Sequence, residues 1–383
     1  MKNKNKGIYI HIPFCAKKCN YCDFLSFPTG EDAKKDYIEA LARELHLYTE
    51  INGKPEADSI YIGGGTPSVL EPGLLERLLS AISESINISG DCEFSVEVNP
   101  GTLSREKIDT LRQGGVNRIS MGVQSFDDNH LRRLGRIHRR SDVFSSINML
   151  KLAGFDNINL DLMFSLPDQT LEDWDDSLKK ALWFEPAHIS FYGLTLEEGT
   201  PMYEDFKAGR IEAYEDEEDR ALYYHALELL EKNGYRHYEI SNAAKPGKES
   251  RHNLKYWNMM DYIGFGLGAH SFDCGVRFSN PEVLSDYIYH YLKSGKNEVI
   301  REWVHENSLQ ENVEEFMYTG LRLVDGVSRS YFRELFGFDL DERFGDEIKE
   351  LAERGFMESF GDTVRFTPYG MDLANVSLME FIE

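Results

Sequence analysis

Six short β-rich runs alternate with six amphipathic stretches along the first 233 residues, and this alternation limits the fold more than any other feature of the chain. The strand-like runs fall at 8–12, 59–62, 93–98, 118–122, 158–163 and 188–194. Helical periodicity occupies 32–50, 72–85, 104–114, 141–153, 171–184 and 215–233, and several of these stretches close on glycine or asparagine, as helix C-caps do. Strands joined by helices pair in parallel, because a parallel neighbour needs a long crossover and an amphipathic helix supplies one. The order is consistent with a barrel or partial barrel, whose ligand sites gather at the C-terminal ends of the strands.

The chemistry-bearing residues fall at those ends. Directly after the first run come Cys15, Cys19 and Cys22, beside Lys17, Lys18 and Asn20. Soft thiolates at short spacing let one loop wrap one centre of iron–sulfur, zinc or copper type. A structural zinc asks for four protein ligands, and the remaining cysteines, Cys92 and Cys274, stand alone, so zinc is the weaker reading. A 4Fe-4S cluster on three cysteines keeps one iron open for a small chelating ligand. The bland alternative, three unpaired core cysteines, gives no reason for them to recur at loop spacing among polar residues.

After the second run comes Gly63-Gly-Gly-Thr-Pro-Ser68, where glycines allow close backbone approach and free amides are expected to hold a polar ligand group. An ordinary tight turn is the competing account. Glu97-Val-Asn-Pro100, Gly122-Val-Gln-Ser-Phe126 and Asp161 with the segment to Thr170 follow the third, fourth and fifth runs. Each of Glu97, Gln124 and Asp161 could be a satisfied structural polar group. Three of them in register with the glycine turn and the cysteine loop point instead to a shared pocket.

Composition narrows the class. An odd count of five cysteines argues against a disulfide framework, and no stretch is long and apolar enough for a membrane span, so a soluble cytoplasmic protein is expected. A net charge of −24 opposes binding to nucleic-acid phosphates, and the acidic run 212–220 reads as the solvated start of a helix.

Taken together, Tyr21-Cys22-Asp23-Phe24, Gly63–Ser68, Glu97–Pro100 and Gly122–Phe126 resemble the radical S-adenosylmethionine (SAM) enzymes, and within them the oxygen-independent coproporphyrinogen III dehydrogenase group. The resemblance covers nearly the whole chain. It implies a partial (β/α)6 TIM-like barrel with a small C-terminal domain. It also implies a 4Fe-4S cluster on Cys15, Cys19 and Cys22, with SAM on the open iron cleaved to methionine and a 5'-deoxyadenosyl radical. By motif position, Tyr9 and Tyr21 would line the cofactor site, and Gly64, Gly65, Thr66 and Glu97 would contact the methionine end of SAM. Gln124, Arg136 and Asp161 match positions that the dehydrogenase uses for a second SAM. Arg136 could otherwise be a surface cation near a helix end.

Two departures separate the subgroups. The dehydrogenase carries a further cysteine where this chain has Phe24, and His252-Asn-Leu-Lys-Tyr-Trp257 matches the H-N-x-x-Y-W motif of the haem-chaperone subgroup. The resemblance therefore implies haem as cargo, bound and delivered to acceptor proteins, with His252 as a candidate axial ligand and Tyr256 and Trp257 as walls. A packed, hydrogen-bonded histidine is the alternative for His252. The run Gly264-Phe-Gly-Leu-Gly-Ala-His270 reads as a backbone turn lining the same cavity. Oxidative decarboxylation of coproporphyrinogen III to protoporphyrinogen IX is the second functional reading, and radical cleavage of haem a third. A flavodoxin- or ferredoxin-type donor would supply electrons, and Lys17 and Lys18 suit an acidic one. The family's Tyr-Gly-Leu-Pro-Gly-Gln appears here as Phe164-Ser-Leu-Pro-Asp168-Gln169.

From residue 298 the character changes. Helices at 312–323, 328–336 and 344–353 and a hairpin over 355–367 suggest a winged-helix-like module, dividing the chain into 1–297 and 298–383. The segment is acidic, so a cover over the active site or a protein-docking role is expected rather than DNA binding.

Overall fold

The computed structural model describes residues 5–382. Strand β1 (Asn5–Ile12) pairs in parallel with β2 (Glu56–Gly64), and the parallel order continues through β3 (Asn87–Val98), β4 (Arg118–Gln124), β5 (Ile158–Phe164) and β6 (His188–Gly193). The helices between them are Glu31–Asn52, Pro72–Ser85, Arg105–Gln113, Arg140–Leu152 and Leu171–Trp183, with Asp216–Lys232 after β6. Their starts have local causes. Ser104 accepts a hydrogen bond from the Lys107 amide at 3.2 Å, and Thr170 and Asp173 cap each other reciprocally.

The six-strand core is extended on both sides. Strands β7 (Arg236–Glu239) and β8 (Asn242–Ala244) add to β6 through an antiparallel β8. On the other side β9 (Tyr262–Phe265) lies parallel to β1, and β10 (His270–Asp273), β11 (Val276–Ser279) and β12 (Trp303–Glu306) follow antiparallel. The result is one open twelve-stranded sheet with β12 and β7 at its edges. These added strands escape sequence patterning because three or four residues hold too few alternations to register.

Side chains alternate strictly across the core strands, and the two faces differ in chemistry. Ile8, Ile10 and Ile12, Ile60 and Ile62, Val96 and Val98, Ile119, Met121 and Val123, Leu160 and Leu162, and Ile189 and Phe191 are all buried. They sit in the main apolar cluster with residues of the flanking helices, and burying each such side chain contributes about 1.5–3 kcal/mol. The residues between them are polar, and the register aligns them across strands. Tyr61 lies beside Ser95, Ser95 beside Arg118, Glu97 beside Ser120, and Asp161 beside Gly122 and Ser190. A parallel sheet covered by helices is normally apolar on both faces. This one keeps a polar inner face.

The C-terminal part has its own core, from Val313 to Phe381. Helices Leu309–Gly320, Arg329–Phe336 and Leu340–Glu353 pack with a small sheet of β13 (Val327–Ser328), β14 (Met357–Phe360) and β15 (Thr363–Phe366), ordered β13-β15-β14. Three helices with a β-wing follow the expected pattern, although the first helix begins at Leu309 and β12 still belongs to the large sheet. No described helix is long and apolar enough to cross a membrane.

Candidate functional site

The chain leaves β1 at Ile12 and forms a loop whose ends are tied together. The Cys15 amide donates to Phe27 O at 3.1 Å, and the Phe27 amide to Pro13 O at 2.9 Å. The middle is pinned across the sheet by Asn20, whose amide and side chain donate to Leu134 O and Arg133 O, both at 2.9 Å. This close approach explains Gly135, where φ is +75° and an added Cβ would lie 2.6 Å from Asn20 Oδ1. Cys15, Cys19 and Cys22 are half-buried and free of disulfides. All three line a cavity of about 510 Å³ at the C-terminal ends of the strands. Burial pushes the Cys19 and Cys22 thiols above their ordinary pKa, while Arg136 opposes this at Cys19 and the Phe24 amide at Cys22.

The glycine turn packs against that loop. A Cβ on Gly65 would sit 2.6 Å from Phe14 O, and Gly64 holds φ at +109°. The expectation of free amides fails here. The Gly65 and Thr66 amides donate to Ile12 O at 2.8 Å and Phe14 O at 2.7 Å, and the Gly64 amide to Glu97 at 3.1 Å. The glycines serve close packing of β2 on the cysteine loop, which uses up these donors.

The inner-face polar side chains form a connected set. Glu97 accepts from Tyr61 Oη at 2.8 Å. Burial pushes its carboxyl up to about 7, Asp161 adds to the rise, and Tyr61, Gly64 and Arg118 oppose it. The Asp161 carboxyl is also raised by burial, against hydrogen bonds from Asn159, at 2.6 Å, and Ser190. Arg136 donates to Asn99 Oδ1 at 3.0 Å, Asn99 to Thr66 Oγ1 at 2.8 Å, and Thr66 lies 3.7 Å from Cys15 Sγ. The guanidinium thus reaches the cysteine loop through two intermediates. It is a cavity residue and not a surface cation, and its Nε has no hydrogen-bond partner among the described residues. Gln124 accepts from Tyr192 Oη at 3.0 Å and has φ +65° beside a register shift of β4 on β5, a strained backbone held at the site.

Of the residues nominated from sequence, Tyr21, Gly64, Gly65, Thr66, Glu97, Gln124, Arg136, Asp161 and the three cysteines line this one cavity. Tyr61, Arg118, Ser120, Asn159, Ser190 and Tyr192 line it too and were not nominated. Their signal was present: each occupies the polar phase of an apolar/polar alternation.

Tyr9 and His252 lie elsewhere. Tyr9 lines a second cavity of about 640 Å³ between the sheet and helix Leu309–Gly320, together with Tyr256, Trp257, Met260, Gly268, His270, Arg277 and Thr319. Phe24, Gly64 and Glu97 line both cavities. His252 is 1% exposed, its Nδ1 3.0 Å from Ser59 Oγ and its Nε2 2.8 Å from Tyr256 Oη. Its ring stacks on Tyr61, and burial lowers its pKa to about 3. The structure places His252, nominated as a haem ligand, with both ring nitrogens hydrogen-bonded, its Nε2 to the Oη of Tyr256, which lines the second cavity. The glycine run after β9 does line the cavity beside Tyr256 and Trp257, and the C-terminal module covers this cavity through Glu315 and Thr319.

Three thiols on one pinned loop, an unpartnered buried guanidinium nitrogen and two carboxyls at the same mouth suit a soft metal centre next to a small zwitterionic ligand. Comparison with known proteins agrees. Residues 9–181 match the model of the radical SAM superfamily, and residues 307–373 that of the HemN C-terminal domain. The chain is 40% identical over 371 residues to the protein named heme chaperone HemW of Bacillus subtilis, covering 97% of each chain. It is 33% identical over 375 residues to that of Escherichia coli, covering 98% of this chain and 97% of the relative. The coproporphyrinogen III oxidase HemN of Escherichia coli superposes with a TM-score of 0.86 at 22% identity, over 99% of this chain and 90% of that one, which supports the fold.

Proposed function

Because the chain belongs to the HemW family of radical SAM proteins, we propose that it binds haem as cargo and delivers it to acceptor haemoproteins. The observation that carries this reading is the full-length similarity to relatives named haem chaperones. It is joined by the second cavity, whose walls include Tyr256 and Trp257 of the H-N-x-x-Y-W helix. The family carries a 4Fe-4S cluster and SAM. In this reading Cys15, Cys19 and Cys22 hold the cluster, which when bound supplies one-electron reduction of SAM.

The remaining roles belong to the chain. Burial disfavours the ionised forms of Glu97 and Asp161, and the ammonium and sulfonium charges of SAM, once in the cavity, would offset that and hold both as carboxylates, while the Nε of Arg136 receives the SAM carboxylate. With its amides used internally, the Gly64–Thr66 turn offers no free donor at those positions and suits a cationic group better than an anion. Phe24, 63% exposed at the wall between the cavities, stands where the porphyrinogen dehydrogenase has a cysteine, which disfavours that activity. Lys17 and Lys18, both exposed beside the cluster loop, suit an acidic flavodoxin- or ferredoxin-type electron donor in the cytoplasm.

The test incubates anaerobically reconstituted protein with SAM and reductant, in parallel with haem and with coproporphyrinogen III. Stable haem binding without porphyrin product is expected, and protoporphyrinogen IX formation would overturn the reading.

A further inference from the structure

A net charge of −24 makes most of this surface repel an acidic partner, yet one segment runs the other way. Between residues 132 and 140 the chain places five arginines and no acidic residue. The fold carries this segment to the mouth of the cluster cavity. It leaves the short helix Asp128–Arg133, lines the cavity from Gly135 to His138, and enters the helix Arg140–Leu152. Asn20 fastens the cysteine loop to it, through the hydrogen bonds to Leu134 O and Arg133 O.

The cations of the segment divide by role. Arg136 donates to Asn99 inside the cavity, whereas Arg132, Arg133, Arg139 and Arg140 are exposed. Arg133 pairs with Asp168, but Arg139 and Arg140 enter no ion pair among the described residues. The nearby carboxylates are held on backbone amides instead. Asp127 accepts from the His130 amide at 3.1 Å, Asp128 from that of Arg140 at 2.7 Å, and Asp142 from that of Arg139 at 2.8 Å. Ile137, 60% exposed, stands among these arginines, and Lys17 and Lys18 lie on the cysteine loop that Asn20 fastens. An apolar centre with a charged rim is the anatomy of a docking patch. None of residues 132–140 lines the second cavity, so a partner seated here faces the three cysteines rather than the cargo.

Resting on the cluster reading above, we propose that residues 132–140, with Lys17 and Lys18, form the docking surface for an acidic flavodoxin-type electron donor. Guanidinium groups pair with carboxylates in two-point fashion, and opposite charge steers the encounter. Because the rest of the chain repels such a donor, the patch decides where it lands. The step served is the passage of one electron from the reduced flavin of the partner to the cluster. The flavin is oxidised by one electron, the cluster is reduced by one, and no bond forms or breaks.

The test uses flavodoxin as the probe. Its photoreduced form is mixed with the reconstituted full-length protein, and cluster reduction is followed by bleaching of the iron–sulfur absorption. Separately, calorimetry measures the affinity of oxidised flavodoxin for the cluster-free chain. The double variant Arg139→Glu/Arg140→Glu places acids at a helix start, where they are tolerated. It is expected to slow reduction and weaken binding by about tenfold or more, and Arg132→Glu to act in the same direction. Dithionite, which needs no docking, is expected to reduce every form to the same extent. Lys54→Glu, exposed before β2 at the opposite end of the sheet, is expected to behave as the wild type does. Raising salt from about 10 mM to about 1 M shortens the screening length from about 30 Å to about 3 Å and should remove the advantage of the wild type. Unchanged rate and affinity in both arginine variants would overturn the surface while the cluster reading stands. So would a patch that holds phosphatidylglycerol vesicles and not flavodoxin. A wild type that forms no cluster overturns the cluster reading and this surface with it.

Discussion

Replacing Glu97 by glutamine should change how stability depends on pH, and the size of that change follows from the site. The carboxyl is moved from its ordinary 4.5 to about 7, chiefly by burial beside Asp161. At 1.36 kcal/mol per pH unit, holding it ionised in the folded state costs about 3 kcal/mol. The sign follows from proton binding. The folded protein holds this proton more tightly than the unfolded chain, so the group's contribution is fully present below pH 4.5 and lost as pH rises through about 7. About 2.5 kcal/mol of that loss falls between pH 5 and pH 8.5. Glutamine cannot ionise, so it removes this dependence. It still accepts from Tyr61, but its amide meets the Gly64 N–H, which adds a roughly pH-independent penalty of about 1–3 kcal/mol. With an unfolding entropy of ~2.1 cal/mol/K per residue, a 383-residue chain converts about 2.5 kcal/mol into about 3 °C. Thermal unfolding followed by circular dichroism at both pH values should therefore show the glutamine variant gaining about 3 °C on the wild type between pH 5 and pH 8.5. Parallel shifts, with the same difference at both pH values, would refute a raised Glu97 carboxyl.

Substituting alanine for any one of Cys15, Cys19 or Cys22 should abolish the iron–sulfur absorption of reconstituted protein while far-ultraviolet dichroism stays native; a retained spectrum would remove the ligand assignment. Gly65→Ala puts a Cβ 2.6 Å from Phe14 O, so denaturant unfolding should show a loss of about 1–3 kcal/mol, and equal stability would show that the turn can relax. Glu44 is wholly buried, accepting from the Gly266 amide at 2.8 Å, Asn280 at 2.6 Å and Tyr287 at 2.6 Å. Glu44→Ala leaves those donors unpaired and should cost about 3–5 kcal/mol in chemical denaturation. His252→Ala should lower the melting temperature through the lost Ser59 and Tyr256 hydrogen bonds, and an unchanged melting temperature would show that those bonds add nothing to stability.

Much of the site was legible before the fold because its residues sit in local patterns. The cysteine spacing, the glycine turn and the polar residue at each strand end are properties of short segments, and the parallel topology converts them directly into one mouth. The strand–helix alternation fixed that topology, since amphipathic helices can only pack on the sheet through the apolar phase of each strand, Ile8, Ile60, Val96, Ile119, Leu160 and Ile189 among them. Even the inner residues that went unnominated, such as Tyr61 and Asn159, could have been read from the opposite phase of the same strands.

What tertiary structure decided is the state of each polar atom. Sequence places a histidine beside two aromatics. It cannot say that Ser59, 193 residues away, occupies one ring nitrogen of His252 and leaves it buried. Nor can it say that the amides of the glycine turn are spent on Ile12 and Phe14, or that β9 to β12 extend the sheet until Arg277 meets Glu315 on a helix from the C-terminal module. Motifs report which groups are present along the chain. Whether a group is free to bind depends on long-range hydrogen bonds and burial, and these exist only once distant segments have packed.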